Sequence, residues 1–233
     1  MRIRLLVWDF MCSLAWVCAG ALIKIAVFQA LGLGHSPIGE AVKATLSIGN
    51  MFFFAFLVKA TDGAAYNPIT ILSSAVSDGP RNFLFTFGAR IPSQMMGSIC
   101  GSMLIMRILP GFGSGPKLNV DIFRGAITEG LLTFSISIIS LSISRKISGS
   151  FLLKTWFLSV SKLALHVLGS DLTGGCMNPA SVFGWAYARG DHVSREHIMV
   201  YWIAPMQGAF LALWTFKLLE RLADMGSRKK KLE

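Results

Sequence analysis

Asn67-Pro68 and Asn178-Pro179 restrict what this chain can become more than any other residues. Each pair follows a glycine-containing turn and opens a short apolar stretch. They stand 111 residues apart, and other identities recur at that offset: Gly63 with Gly174, Ala75 with Ala186, Gly79 with Gly190, and Gly97 with Gly208. Matches at a fixed spacing mark a duplicated unit. Any fold for this chain must therefore place two like halves, each interrupted by one Asn-Pro segment.

The surroundings of those segments are those of a membrane. The chain is 53% hydrophobic, carries 15% charged residues in 233 and has a mean hydropathy of +0.59. A span takes about 20 apolar residues to cross about 30 Å of hydrocarbon. Six stretches qualify as expected spans: Leu5–Leu31, Thr45–Lys59, Phe83–Leu109, Ile122–Ser144, Phe151–Gly169 and Ile198–Leu219. The net charge of +10 does not read as a nucleic-acid footprint, because the basic residues collect beside the spans. Arg2, Arg4, Lys59, Arg81, Arg145, Lys146, Lys154 and the Arg228–Lys231 cluster alternate with less basic connections. The positive-inside rule then places both termini in the cytosol, and an even number of spans agrees, since it returns the chain to its starting side. The first apolar run passes Gly20 and reaches Leu31, longer than a cleavable signal needs. Cys12, Cys18 and Cys100 fall inside apolar spans, so no disulfide framework is expected.

Three spans per half is an odd number, so the second half must lie inverted relative to the first. The expected architecture is an all-α membrane protein, with six transmembrane helices plus two half-helices in an inverted repeat of two three-helix halves. The whole chain, 1–233, reads as one channel-like domain: repeat one is about 1–110, repeat two about 117–222, and a basic tail covers 223–233. A helix from Pro68 to about Asp78 rises about 15 Å, half the hydrocarbon thickness. Two such segments entering from opposite faces meet near the midplane. Non-helical backbone at that depth is tolerated only inside protein or along a water-filled cavity. Pro suits the first helical position, and Asn before it accepts from backbone amides or presents its own amide to the lumen. Half-helix N-termini carry partial positive charge, so two facing one another repel cations and hinder protons.

These residues resemble the major intrinsic protein family, the aquaporins and aquaglyceroporins. The resemblance covers nearly the whole chain and is strongest at Gly174-Gly175-Cys176-Met177-Asn178-Pro179-Ala180. The first motif departs from the pattern, with Ile69 following Asn67-Pro68 where the family has alanine. Short length, basicity, a brief N-terminus and that altered motif look like the plant small basic intrinsic proteins, and most like their second subgroup. The resemblance implies a homotetramer in a lipid bilayer, with water or a small neutral solute as permeant and no cofactor. It implies a selectivity filter at Ser47, His166, Gly175 and Ser181. Ser181 replaces the arginine of water-selective members, which removes a fixed positive charge, and Ser47 and Gly175 are small enough to widen the ring. Protonation of His166 below its reference pKa of about 6.5 restores charge there.

Carboxylates inside spans are expensive and ask for a role. Asp9 and Glu129 each sit early in the first span of a half, and the resemblance makes them acceptors for the loops that carry the half-helices. Asp9 is one methylene shorter, which leaves its reach open. Lys24 and Lys162 lie near or within spans, either snorkelling or facing the bundle interior, with no further role assigned. Ile69 must either narrow the lumen or push the half-helices apart, because small residues at such contacts permit close approach. Low water conductance is the expected consequence. Lys230 and Lys231 form a dilysine ending that resembles an endoplasmic-reticulum retrieval signal.

The leading function is therefore a passive channel in an intracellular membrane. The alternatives are a small-solute channel with little water permeability and a membrane scaffold with a vestigial pore. An ion-coupled transporter is disfavoured by the scarcity of acidic groups in the spans. An enzyme is disfavoured by the lack of a metal-ligand cluster or a nucleophile–base arrangement.

Overall fold

The computed structural model describes residues 2–111, 115–147 and 149–229, and they form eight helices. Helix α1 (Arg2–Ile25) ends in a π turn, Ala26–Ala30, and α2 spans Pro37–Ala60. The half-helix α3 is Pro68–Ser77. Helix α4 starts at Pro80–Phe85, widens through a π turn at Thr86–Arg90 and continues as Ile91–Ile108. In the second half α5 is Ile122–Lys146, α6 is Phe151–Gly169 and the half-helix α7 is Pro179–Arg189. Helix α8 repeats the plan of α4: Arg195–Ile198, a π turn at Met199–Ile203, then Ala204–Lys229.

The helix starts are written in the sequence. Ser36, Asp121, Ser150 and Ser194 each accept a backbone N–H of the first turn, and Pro37 occupies the first helical position of α2. Helix α2 begins eight residues before the expected Thr45. Glu40 and Lys43 dilute the hydropathy of those first turns, but they pair with each other one turn apart.

Packing follows the duplication. Helix α1 lies along α4 as α5 lies along α8, and α1 touches α2 as α5 touches α6. Each half-helix packs on the other half's last helix, α7 on α4 and α3 on α8, while α2 meets α6. Exchanging the halves leaves this set of contacts unchanged, which is the inverted repeat. Glycines at the shared offset let paired helices approach closely. A Cβ on Gly97 would fall on the Phe10 carbonyl of α1, and one on Gly208 would fall on the Gly130 carbonyl of α5. Gly79 and Gly190, at the ends of the half-helices, take φ of 92° and 88°; Gly63 and Gly174, in the turns before them, take 97° and 86°. L-residues avoid that region.

The distribution of side chains is that of a protein in lipid. Leu22, Phe53, Phe56, Leu131 and Trp214 are exposed, whereas Ser13, Gln94, Ser98, Ser102 and Thr133 are fully buried. Five helices among the described residues are long and apolar enough to cross a membrane: Arg2–Ala30, Pro37–Ala60, Ile122–Arg145, Phe151–Gly169 and Arg195–Met225. The third expected span, Phe83–Leu109, exists as α4 but falls outside that group. Its inner face carries Gln94, Gly97, Ser98, Gly101 and Ser102, small and polar residues that let α1 and α7 approach it.

Candidate functional site

The half-helices meet nose to nose through their asparagines. Asn67 Nδ2 donates to the Met177 carbonyl at 2.8 Å, and Asn178 Nδ2 donates to the Tyr66 carbonyl at 3.1 Å. Each side chain thus binds the residue just before the other motif. Each also caps its own helix: Asn67 Oδ1 accepts from Ile69 N at 3.0 Å, and Asn178 Oδ1 accepts from Ser181 N at 3.3 Å. Both asparagines are extended, with φ of −139° and −143°. One amide N–H on each remains for another partner. Pro68, Pro179 and Ala180 are buried behind them.

Two carboxylates hold the loops that deliver these motifs, in different ways. Glu129, fully buried, accepts from Thr173 Oγ1 at 2.7 Å, Cys176 N at 2.8 Å and Met177 N at 2.9 Å. Asp9, equally buried, accepts from Ala65 N at 2.7 Å and takes both prongs of Arg90 at 2.7 and 2.8 Å. Arg90 passes the hold onward, its Nη2 donating to the Gly63 carbonyl at 2.7 Å. The shorter acid therefore reaches its loop directly and extends through an arginine that the sequence analysis did not single out. The signal was present, since a cation within an apolar span needs a counter-charge.

Of the four residues implied as a filter, two are joined directly. His166 Nδ1 lies 3.1 Å from the Gly175 carbonyl; a carbonyl only accepts, so that nitrogen carries the hydrogen. Gly175 takes a φ of 54°, and a Cβ there would fall on the His166 carbonyl. Ser181 lies in the first turn of α7, its N–H bound to Asn178. Ser47 is half-buried on α2, which packs against α6, and no described hydrogen bond links it to the other three.

Ile69 is 8% exposed and clusters with Leu72 and with Ala209 of α8, against Phe87, Met206 and Phe210. The small Ala209 makes room for its side chain. The half-helices stay in contact and both asparagine cross-bonds remain, so the branched residue has not driven them apart.

A cavity of about 580 Å³ leads to this junction. It is walled by the second half of α2, the segment before α3, α3 from Ile69 to Ser74, Arg90 of α4, and facing stretches of α5, α6 and α8, and Asn67 and Met177 line it. Among the described residues no group of three or more His, Cys, Asp or Glu is placed to hold a metal, and the four cysteines are free. Lys230 and Lys231 lie outside the described residues.

Residues 2–216 match the family model described as "Major intrinsic protein". The chain belongs to the major intrinsic protein family. Within that family it is 51% identical to "Probable aquaporin SIP2-1" of Arabidopsis thaliana over 94% of this chain and 92% of that one. It is 47% identical to "Aquaporin SIP2-1" of Oryza sativa subsp. japonica, over 98% and 96%. "Aquaporin SIP1-1" of the same rice is more distant, at 38% identity over 78% of each chain. That order matches the second subgroup of small basic intrinsic proteins. The fold also matches the solved aquaglyceroporin of Plasmodium falciparum, with a TM-score of 0.73 over 97% of this chain and 100% of that one. At 17% identity that likeness speaks to the fold alone. As a major intrinsic protein this is a multi-pass membrane channel, not an enzyme.

Proposed function

We propose that the chain is a passive channel for water and small neutral solutes, with its permeation path running through the cavity and between Asn67 and Asn178. The observation that carries this reading is the reciprocal bonding of the two asparagines, which holds two half-helix N-termini together at the inner end of an accessible cavity. Cations and protons are opposed there by the partial positive charge of both helix ends. The names of the plant relatives, aquaporins, point to the same permeant. Gly175 and Ser181 favour a second reading, a channel better suited to small solutes than to water, because neither supplies the bulk and charge that narrow a filter. Ser47 and His166 complete the proposed ring.

Solute-resolved flux in proteoliposomes separates these readings. Water shrinkage is compared with glycerol, urea and peroxide uptake, and Asn178→Ala is the control. That variant loses the Tyr66 bond and the cap on Ser181, and its flux of every permeant is expected to fall to the lipid background. Equal flux from Asn178→Ala and the parent places the path elsewhere; no flux from either leaves a scaffold.

The protein is further proposed to reside as a homotetramer in the endoplasmic-reticulum membrane with both termini cytosolic. The basic residues beside the spans, the dilysine ending and the family resemblance support this. Lys230→Ser with Lys231→Ser is expected to move a fluorescent fusion onward along the secretory route. An unchanged reticular pattern removes the retrieval signal from the account.

A further inference from the structure

Lys162 is a charged group in the cavity that the channel reading leaves without a task. It stands one helical turn before His166 on α6 and lines the cavity. Its Nζ lies 4.7 Å from the ring centre of Trp16 and 5.3 Å from that of Tyr66. Those two rings are stacked, 4.1 Å apart and 16° from parallel. Tyr66 is also the residue whose carbonyl binds Asn178, so the ammonium sits beside the asparagine junction.

Nothing described neutralises it. No carboxylate lies within ion-pair distance of Lys162 among the described residues, and the cavity lining contains no Asp or Glu. Arg90 and Lys154 are the other cations in the lining, and Arg90 is bound to Asp9. Lys154 lies two turns before Lys162 on the same face of α6, further towards that helix's start. The aromatic faces attract the ammonium, yet they leave its net charge in place. A fixed charge in a cleft with low-dielectric walls concentrates ions of opposite sign. Hydroxyls of Ser137, Ser140 and Ser159 in the same lining provide donors for such an ion.

We propose that Lys162 and these hydroxyls form a binding site for a small monovalent inorganic anion, of the halide or nitrate class, at the inner end of the cavity. Ile69, Leu158 and Met177 share the lining, and such apolar neighbours favour weakly hydrated anions over ones that hold their water tightly. A single ammonium matches a single negative charge, and Lys154 draws the ion inward. The site needs the cavity and not conduction, so it stands or falls separately from the flux assays.

Trp16 is a built-in reporter, since iodide quenches tryptophan on close approach. Potassium iodide is titrated against the emission of the purified full chain, with ionic strength held by potassium gluconate. A saturable quenching component is expected, competed by sodium nitrate and lost in Trp16→Phe. It is also expected to vanish in Lys162→Met and persist in Lys162→Arg, while quenching of both variants by neutral acrylamide stays at the parent level. Strictly linear iodide quenching of the parent overturns the site, as does a saturable component that nitrate fails to displace. Undiminished saturable quenching in Lys162→Met overturns it as well.

Discussion

Asp9→Ala is expected to destabilise the folded chain by about 3–5 kcal/mol, the usual result of removing one partner from a buried ion pair. The variant strands Arg90, which is 9% exposed and then keeps only the Gly63 carbonyl as a described partner. It also takes the acceptor from Ala65 N, and so frees the loop that carries Asn67. Unfolding titrations in mixed micelles measure the loss. Asp9→Ala with Arg90→Met separates the causes: if stranded charge dominates, the double variant recovers much of the stability. If the two losses simply add, the pair is not coupled and the bidentate geometry is not what holds this loop. Asp9→Glu supplies the methylene that Glu129 has, but Asp9 already reaches both Ala65 N and Arg90, so the extra length is expected to crowd the site rather than improve it.

That network marks where reading the sequence stopped. The duplication was legible because its demands are local. Gly79 and Gly190 need positive φ, Gly97 and Gly208 need the absence of a side chain, and Asn-Pro caps a helix wherever it stands. Pairings across the fold were not legible. Arg90 meets Asp9 from 81 residues away, and Lys162 meets Trp16 from the opposite half, with no spacing rule to link them. Helix limits failed where composition misleads. Glu40 and Lys43 concealed the start of α2, and α4 is the least lipid-like long helix because both its neighbours press on it. The filter residues came from resemblance alone. Fold contacts tie His166 to Gly175 and place Ser181 beside Asn178, whereas Ser47 rests on its register along α2.

Ile69→Ala is expected to lower stability by about 2–5 kcal/mol, the range for truncating a buried isoleucine to alanine, and to leave water flux per folded channel within about twofold of the parent. The two parts follow from one arrangement. Ile69 turns most of its surface into the cluster with Leu72 and Ala209, so truncation opens a void between α3 and α8. Its 8% exposure leaves little side chain in the cavity to obstruct passage. An isoleucine at this motif position suggests a plug when only the sequence is considered, since the family's alanine permits the half-helices to touch. Packing resolves the conflict differently: Ala209 is the small member of the α8 residues packed on Ile69, beside Met206 and Phe210, and the bulk sits in the wall between α3 and α8. Ile69→Ala with Ala209→Ile exchanges the two volumes and is expected to restore part of the lost stability, because cores tolerate swaps that conserve total volume. Stopped-flow shrinkage of proteoliposomes, normalised to folded protein, reads the other half. A several-fold rise in water flux on Ile69→Ala makes the residue a plug after all, and the conductance of this channel is then limited at its first motif rather than at the proposed ring that includes His166.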